Sequence, residues 1–377
     1  MKRLFVITIV ALMFIGIFSA LALAGGDMLK VWTQNLYIGA DLTPVIAAQS
    51  PDEFFAAANE TLEKIAANFF PLRAQRLATE IALYAPDLIA LQEVEDISVD
   101  GMHPGPPFVD YLQSLRNALA LRGQNYTVAA VVVNLDLEVP LPFDITGDME
   151  PDTLQVVDRD VILVREGVTY NVINFGCTKS SANGCNYSVV APLPSPLLSE
   201  GLFIERGYVG IDATVREKRV FFVTTHLEQR ILSPDFPESA FIQPAQAEEL
   251  VGVLDDLSND NPGVPLILAG DFNSSPEDVK TDVIVPPYLQ ITGSGFTDAW
   301  TKNPLALLDP KGLTCCQDPE LDNRTSKLYE RIDIVFVRNS RFTPWEFVTT
   351  RVPIFPLWLA PNWGSDHGGV FARLNFR

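Results

Sequence analysis

The sequence predicts an α/β protein built in four layers, two packed mixed sheets (an α/β/β/α sandwich) each covered on its outer face by helices. Apolar, strand-like runs dominate its 377 residues. Several of them, Leu266-Ile267-Leu268-Ala269 among them, are apolar at every position, so both faces of the strand need cover. Helical patterns alternate with these runs and supply the covering layers.

Taken in order, the first 24 residues read as an address. Lys2 and Arg3 give a basic start, residues 4–21 are almost continuously apolar, and Ala22-Leu23-Ala24 is a small-x-small cleavage site. Cleavage after Ala24 leaves residues 25–377, expected to be a single domain and secreted or otherwise extracytoplasmic; no Ser/Gly linker, low-complexity tract or repeat divides them. An uncleaved anchor is the competing reading, because the run approaches the ~20 residues of a membrane span. No comparable run follows, so no stable span is expected in the mature chain.

Residues 29–36 form the first strand. Ser50-Pro51-Asp52-Glu53 opens a helix with an N-cap, a proline at the first position and a Glu three residues after the cap. Leu72, Gln75, Arg76, Leu77 and Ile81 mark a second helix that stops before Pro86. Residues 87–92 read as a buried strand ending at Glu93, and residues 108–121 as a helix. Strands follow at 127–133, 161–164, 170–174, 209–215 and 220–225, with Arg216-Glu217-Lys218-Arg219 as the hairpin turn between the last two. A helix at 244–257 and strands at 266–269, 332–337 and 370–374 complete the pattern.

Charge narrows the partners. The net charge of -20 becomes -22 without the leader, 25 basic against 47 acidic residues, so a general grip on nucleic acid through a basic surface is not expected, although local cation recruitment can overcome the repulsion. Carboxylates gathered round a divalent ion would hide part of this charge. The four cysteines of an exported chain invite disulfides. Cys177 and Cys185 flank a short Ser/Asn/Gly loop and form the expected bridge; the adjacent Cys315 and Cys316 are expected to seek separate partners or stay reduced.

The chemistry lies where the strands end. Asn35 follows the first strand, Gln92-Glu93 the next buried one, and Asp158-Arg159 precedes another. His226 closes Phe221-Phe222-Val223-Thr224-Thr225, Gly270-Asp271-Phe272-Asn273 follows an apolar run, and Arg331-Ile332-Asp333-Ile334 and Gly364-Ser365-Asp366-His367 complete the series. Carboxylates, amides and imidazoles at several buried strand ends can meet at one sheet edge. In this order and context they resemble the endonuclease/exonuclease/phosphatase superfamily, the DNase I-like metal-dependent phosphoesterases. The resemblance spans nearly the whole mature chain, and it is the run of six motifs in sequence that makes it specific.

That resemblance implies a hydrolase of phosphate esters and a role for each residue; the leader makes it a secreted one. Glu93 is the metal ligand, a hard carboxylate suited to Mg²⁺, with Mn²⁺ or Ca²⁺ as other candidates, and Asn35 and Asp366 assist it. His367 is the general base and Asp333 its carboxylate partner; an ion pair with Arg331 is the alternative for Asp333. Asp271 orients the nucleophile or assists proton transfer, and Asn273 hydrogen-bonds the phosphoryl oxygens. His226 contacts phosphate or leaving group. Arg159 is a candidate bidentate clamp on phosphate, with pairing to its flanking aspartates as the bland alternative.

Substrate choice is expected in the segments that interrupt the scaffold: residues 134–152, residues 177–205 and the aromatic run 345–363. Phe347, Phe355, Trp358 and Trp363 either wall the pocket or, the favoured reading, pack beneath a loop. The partner is a phosphate ester, whether nucleic acid, phospholipid headgroup or small phosphoester; a DNase-like nuclease is one specific form. A sphingomyelinase- or phospholipase C-like enzyme at a membrane surface is the alternative, and a non-catalytic binding protein on the same scaffold is disfavoured because every matched position keeps a competent side chain. No protein partner is evident.

Overall fold

The computed structural model describes residues 28–141, 144–193, 202–230, 237–349 and 361–376. The expected leader, residues 1–24, lies outside them, as do Phe355 and Trp358. Among the described residues no helix is long and apolar enough to cross a membrane.

Two mixed sheets pack face to face. The first runs Phe342–Val348, Val370–Phe376, Leu29–Asn35, Leu88–Gln92 and Thr153–Arg165, and the last of these also pairs with Asp96–Val99 and Tyr126–Pro140. The second runs Thr297–Asp298, Asp333–Arg338, Leu266–Asp271, Lys218–His226 and Gly207–Val215, with short strands beyond. Alternation sorts the side chains: Val31, Leu88, Ala90 and Ile162 meet Val209, Ile211, Phe222, Ile267 and Val335 between the sheets. The opposite face of the first sheet, with Trp32, Ile89, Leu91 and Leu163, is covered by helices Phe70–Tyr84 and Tyr111–Ala120. Phe221, Val223, Leu266 and Leu268 of the second lie under Ile242–Asp260 and Pro287–Gly293. The four-layer expectation therefore holds.

The helix Pro51–Ala67 starts as its sequence dictates, Ser50 accepting the Glu53 amide at 3.3 Å while the Glu53 carboxylate accepts the Gln49 amide at 2.9 Å. The second helix buries Arg76, Leu77 and Ile81 as read above, on a wider face than expected. Its buried residues are Phe70, Arg73, Ala74, Arg76, Leu77, Ala78 and Ile81, so two arginines sit within an otherwise apolar face. The largest departure is the hairpin of Tyr126–Pro140 and Thr153–Arg165, which carries Asn134 inside a strand where an interrupting segment was expected. Two register shifts, at Val128/Ala130 and Val133/Leu135, let the ladder continue into its outer arm. Cys177 and Cys185 are bridged as expected. Cys315 and Cys316 are paired with each other, which corrects the expectation of separate partners or free thiols.

Candidate active site

Period-two alternation carries the polar strand ends into the gap between the sheets. Asn35, His226, Asp271 and Asp333 share the parity of the inward-facing Val31, Phe222, Ile267 and Val335 on their own strands. Register then aligns them: His226 lies opposite Asp271, Asp271 opposite Asp333, and Asn35 opposite Gln92. Gly270 is obligatory in this row, since a Cβ there would stand 2.1 Å from the Thr225 carbonyl oxygen.

Glu93 has the wrong parity for this gap, and the backbone corrects it. A left-handed turn, φ 50° at Glu93, brings the carboxylate back to Asn35, whose Nδ2 donates to Glu93 Oε1 at 2.8 Å and to Asp271 Oδ2 at 3.1 Å. Asn273, at φ 47°, is turned likewise, its N–H donating to Asp271 Oδ1 at 2.9 Å. Non-glycine residues in this region cost of order 1–3 kcal/mol each, and such strain clusters at functional sites. Asn35 thus holds two carboxylates together across the sheets, with its own Oδ1 accepting the Tyr37 N–H at 2.9 Å.

His367 reaches the row from the loop before Val370–Phe376. Its Nδ1 is 2.8 Å from Asp333 Oδ2 and 3.8 Å from Asp271 Oδ2. Ser365 fixes that loop, its hydroxyl donating to the Asn35 carbonyl at 2.7 Å and accepting the His367 N–H at 3.1 Å. Burial alone would lower the His367 pKa, but Asp333 and Asp366 outweigh it and hold the pKa well above the usual histidine range. Arg331 turns instead to Asp298, 2.6 Å away, so the alternative pairing of Asp333 is not realised.

His226 has the opposite surroundings. Arg206 Nη1 lies 3.0 Å from His226 Nδ1, and an arginine only donates, so Nδ1 accepts and the ring proton sits on Nε2. That Nε2 is 3.6 Å from Asp271 Oδ2 and 3.2 Å from Asn273 Nδ2, which donates one of its two protons to the Leu227 carbonyl at 2.8 Å. Burial and Arg206 push the His226 pKa well below the usual range. Arg206 is itself buried between Asp158 and Glu228, each 3.5 Å away.

Arg159 is not brought to this cluster, which corrects the phosphate-clamp expectation. Its Nε donates to the Val94 carbonyl at 2.9 Å and its Nη2 to Asp110 Oδ1 at 3.0 Å, while its own carbonyl accepts the Val94 N–H at 2.9 Å. It fastens the turn that aims Glu93. Two arginines escaped the sequence reading: Arg206, in an unpatterned stretch, and Arg73, wholly buried on its helix. Arg73 donates to the carbonyls of Leu36 at 2.7 Å, Tyr37 at 2.9 Å and Gly364 at 3.3 Å, tying the loop after Asn35 to the loop before Asp366. A charge within an apolar helical stripe was the available signal.

Two of the predicted metal ligands fit a hard cation as they stand: Glu93 and Asp366 offer carboxylate oxygens, the donors that Mg²⁺ and Ca²⁺ take. Asn35 turns its Nδ2 rather than its oxygen toward Glu93, so it assists by holding that carboxylate. Burial pushes the Asp366 carboxyl up to about 7, His367 works against this and Glu93 adds to it. A positive charge beside the two carboxylates is what that electrostatic conflict lacks. Burial and Asp333 likewise raise Asp271 to about 6.

Of the expected aromatic wall, Trp363 is buried and donates its indole N–H to the Asn323 carbonyl at 2.7 Å, and Phe347 stacks near Tyr84. Both serve packing.

Fold and site together define a phosphoric ester hydrolase of the divalent-metal-dependent kind. Residues 66–367 match the model of the endonuclease/exonuclease/phosphatase family, and the chain belongs to that family. Comparison with curated proteins returns no match. Among solved structures it is similar to a mannosyl-6-phosphatase of Bacteroides thetaiotaomicron at 16% identity, covering 92% of this chain and 99% of that one with a TM-score of 0.51. A family protein of the same organism shares 16% identity over 93% and 98% of the two chains, TM-score 0.50. One from Beutenbergia cavernae shares 22% over 93% of this chain and 72% of that one, TM-score 0.51. At these identities the likeness is one of fold.

Proposed function

We propose that this is an exported, Mg²⁺-dependent phosphoesterase that hydrolyses a phosphodiester or phosphomonoester by attack of an activated water. The observation that carries the reading is the His367–Asp333 pair at 2.8 Å, set against an Asp271 that Asn35 ties to Glu93. Asp333 accepts the Nδ1 proton, which leaves the Nε2 lone pair of neutral His367 to take a proton from water, and Asp333 stabilises the imidazolium that results. Asp271 and Asn273 orient the nucleophile and the phosphoryl oxygens. His226, its proton held on Nε2, donates a hydrogen bond to a phosphoryl or leaving oxygen rather than acting as a cationic acid. Glu93 and Asp366 would hold the divalent ion, with Asn35 fixing the Glu93 carboxylate, and the ion would supply Lewis-acid stabilisation of charge on the phosphate.

A small phosphoester or a single headgroup fits better than a long polyanion. The mature chain is strongly acidic, and the arginines named above are occupied, Arg73 by the carbonyls of Leu36, Tyr37 and Gly364, Arg159 by backbone and Asp110, Arg206 by Asp158, Glu228 and His226. The test is a screen of the purified mature protein against DNA, RNA, sphingomyelin, inositol phosphates and a generic diester. Turnover that EDTA abolishes and Mg²⁺ restores is the expected result. A folded protein that cleaves none of these with Mg²⁺, Mn²⁺ or Ca²⁺ would sink the proposal.

A further inference from the structure

Hydrolysis leaves one reactive motif of the sequence unused, the adjacent cysteines, and the fold sets them against the base. One ligand atom each from Cys315, Cys316 and His367 lies within 4.8 Å of the other two. The segment that carries them is sewn to the dyad on both sides. Gly368 donates its N–H to the Thr314 carbonyl at 2.6 Å, and Gln317 donates to the Asp366 carbonyl at 2.8 Å, so Cys315-Cys316 bridges the turn that holds His367. Thr314 Oγ1 also accepts the N–H groups of Ile332 and Asp333, each at 3.1 Å. Cys315 is buried and Cys316 half-buried.

We propose that reduction of the Cys315–Cys316 bond opens a site for a thiophilic divalent cation, Zn²⁺ or Cd²⁺, formed by both sulfurs and the His367 imidazole. The opening step is thiol–disulfide exchange with a dithiol reductant: the S–S bond breaks, Cys315 and Cys316 become thiols, and the reductant leaves as its own disulfide. Binding then releases the two thiol protons as the thiolates take the metal. The imidazole is already set for this, because Asp333 holds Nδ1 and a carboxylate on one ring nitrogen orients the other toward a metal. Softness separates the two sites: thiolate and imidazole select the d¹⁰ cation, while the oxygens of Glu93 and Asp366 retain Mg²⁺. A cation held here occupies the lone pair that His367 needs as a base, so it stops hydrolysis without displacing the hard ion. The binding site stands apart from the hydrolytic reading; only this inhibitory consequence rests on it.

The test uses the mature chain, treated with a phosphine reductant that is then removed, and titrated with Cd²⁺ in excess Mg²⁺ while the ultraviolet thiolate-to-cadmium band is followed. One Cd²⁺ per chain is expected in the reduced protein and none in the unreduced one. Cys177→Ser/Cys185→Ser keeps the signal, which removes the other bridge as its source. Cys315→Ser/Cys316→Ser abolishes it, and Asp333→Asn weakens affinity by about 10–100-fold. His367→Asn weakens it further. A band that survives the Cys315/Cys316 replacement, affinity indifferent to both Asp333→Asn and His367→Asn, or no binding to reduced wild type with four free thiols by mass spectrometry would overturn the proposal. The comparison of reduced with unreduced wild type requires no variant to fold, and none of these readings depends on substrate.

Discussion

His226 and His367 are the same side chain in the same cleft, each within 4 Å of Asp271, and their second neighbours make them opposites. His367 faces Asp333, an acceptor, so its ring keeps a proton on Nδ1 and its cation is stabilised. His226 faces Arg206, a donor that cannot accept, so its Nδ1 is stripped of a proton and its cation is penalised. One histidine is thereby made a base and the other a neutral hydrogen-bond donor. Residue identity alone cannot assign such roles; the partner on the far ring nitrogen does.

The strongest way to break this contrast is to remove the acceptor. Asp333→Asn should lower kcat/KM on the order of 10⁴-fold, the size of loss seen when a buried carboxylate partner of a catalytic histidine becomes an amide. It should also move the acid limb of the pH–rate profile. The active form of His367 is neutral, so rate rises with pH through its pKa; Asp333 raises that pKa, and removing the anion therefore shifts the limb to lower pH. Steady-state kinetics across pH tests both, and a limb that stays in place would remove His367 from the role of base.

Removing the donor attacks the other corner. Arg206 is the shared counter-ion of buried Asp158 and Glu228, so Arg206→Gln leaves both uncompensated and should cost about 3–5 kcal/mol in chemical denaturation. The milder Arg206→Lys cannot reach all three partners at once. Its expected signature is a His226 ring that titrates at higher pH than in wild type, read by ¹⁵N NMR of the imidazoles. The groups facing that ring are Arg206, Asp271 and His367, and only the first has changed.

His226→Asn isolates the donor function. The loss of one hydrogen-bond donor to a charged oxygen is worth about 10²–10³ in kcat at most. Because His226 does not titrate in the working range, the pH profile should keep its wild-type shape. A lost or displaced limb would mean that both histidines carry protons during turnover.

How much of this contrast was legible in the sequence follows from period and distance. The buried strands were readable because they are apolar on both faces, and the row of His226, Asp271 and Asp333 because the first two close such a run and the third opens one. The pairing of His367 with Asp333 came from the resemblance, since nothing local joins residues 34 positions apart. The outer arm of the long hairpin was hidden because its apolar face, Leu137 and Val139 opposite Val156 and Leu154, alternates with Asp136, Glu138 and Gln155 and so forms no continuous apolar run. Arg73 was missed because the stripe was drawn too narrow: Arg76, Leu77 and Ile81 are buried as read, but Phe70, Arg73, Ala74 and Ala78 are buried beside them, while Leu72 and Gln75 are only half-buried. Arg206 carries no pattern at all; its meaning arises only when the second sheet folds against Asp158.

Arg159 supplies the control and the smallest effect. It lies one residue from Asp158, which contacts Arg206, yet alternation points the two neighbours to opposite faces, so pairing Arg159 with its flanking aspartates was ruled out by parity as soon as the segment became a strand. Its hydrogen bonds go to Val94, Glu95 and Asp110 on the far side of the turn that carries Glu93. Arg159→Lys keeps the charge and loses the fork, so it should cost about 1–3 kcal/mol of stability through the carbonyls left unpaired. The His226 titration and the acid limb should not move. A raised KM with stability unchanged would instead return Arg159 to the phosphate, and Arg206 would then lose its standing as the arginine that distinguishes the two histidines.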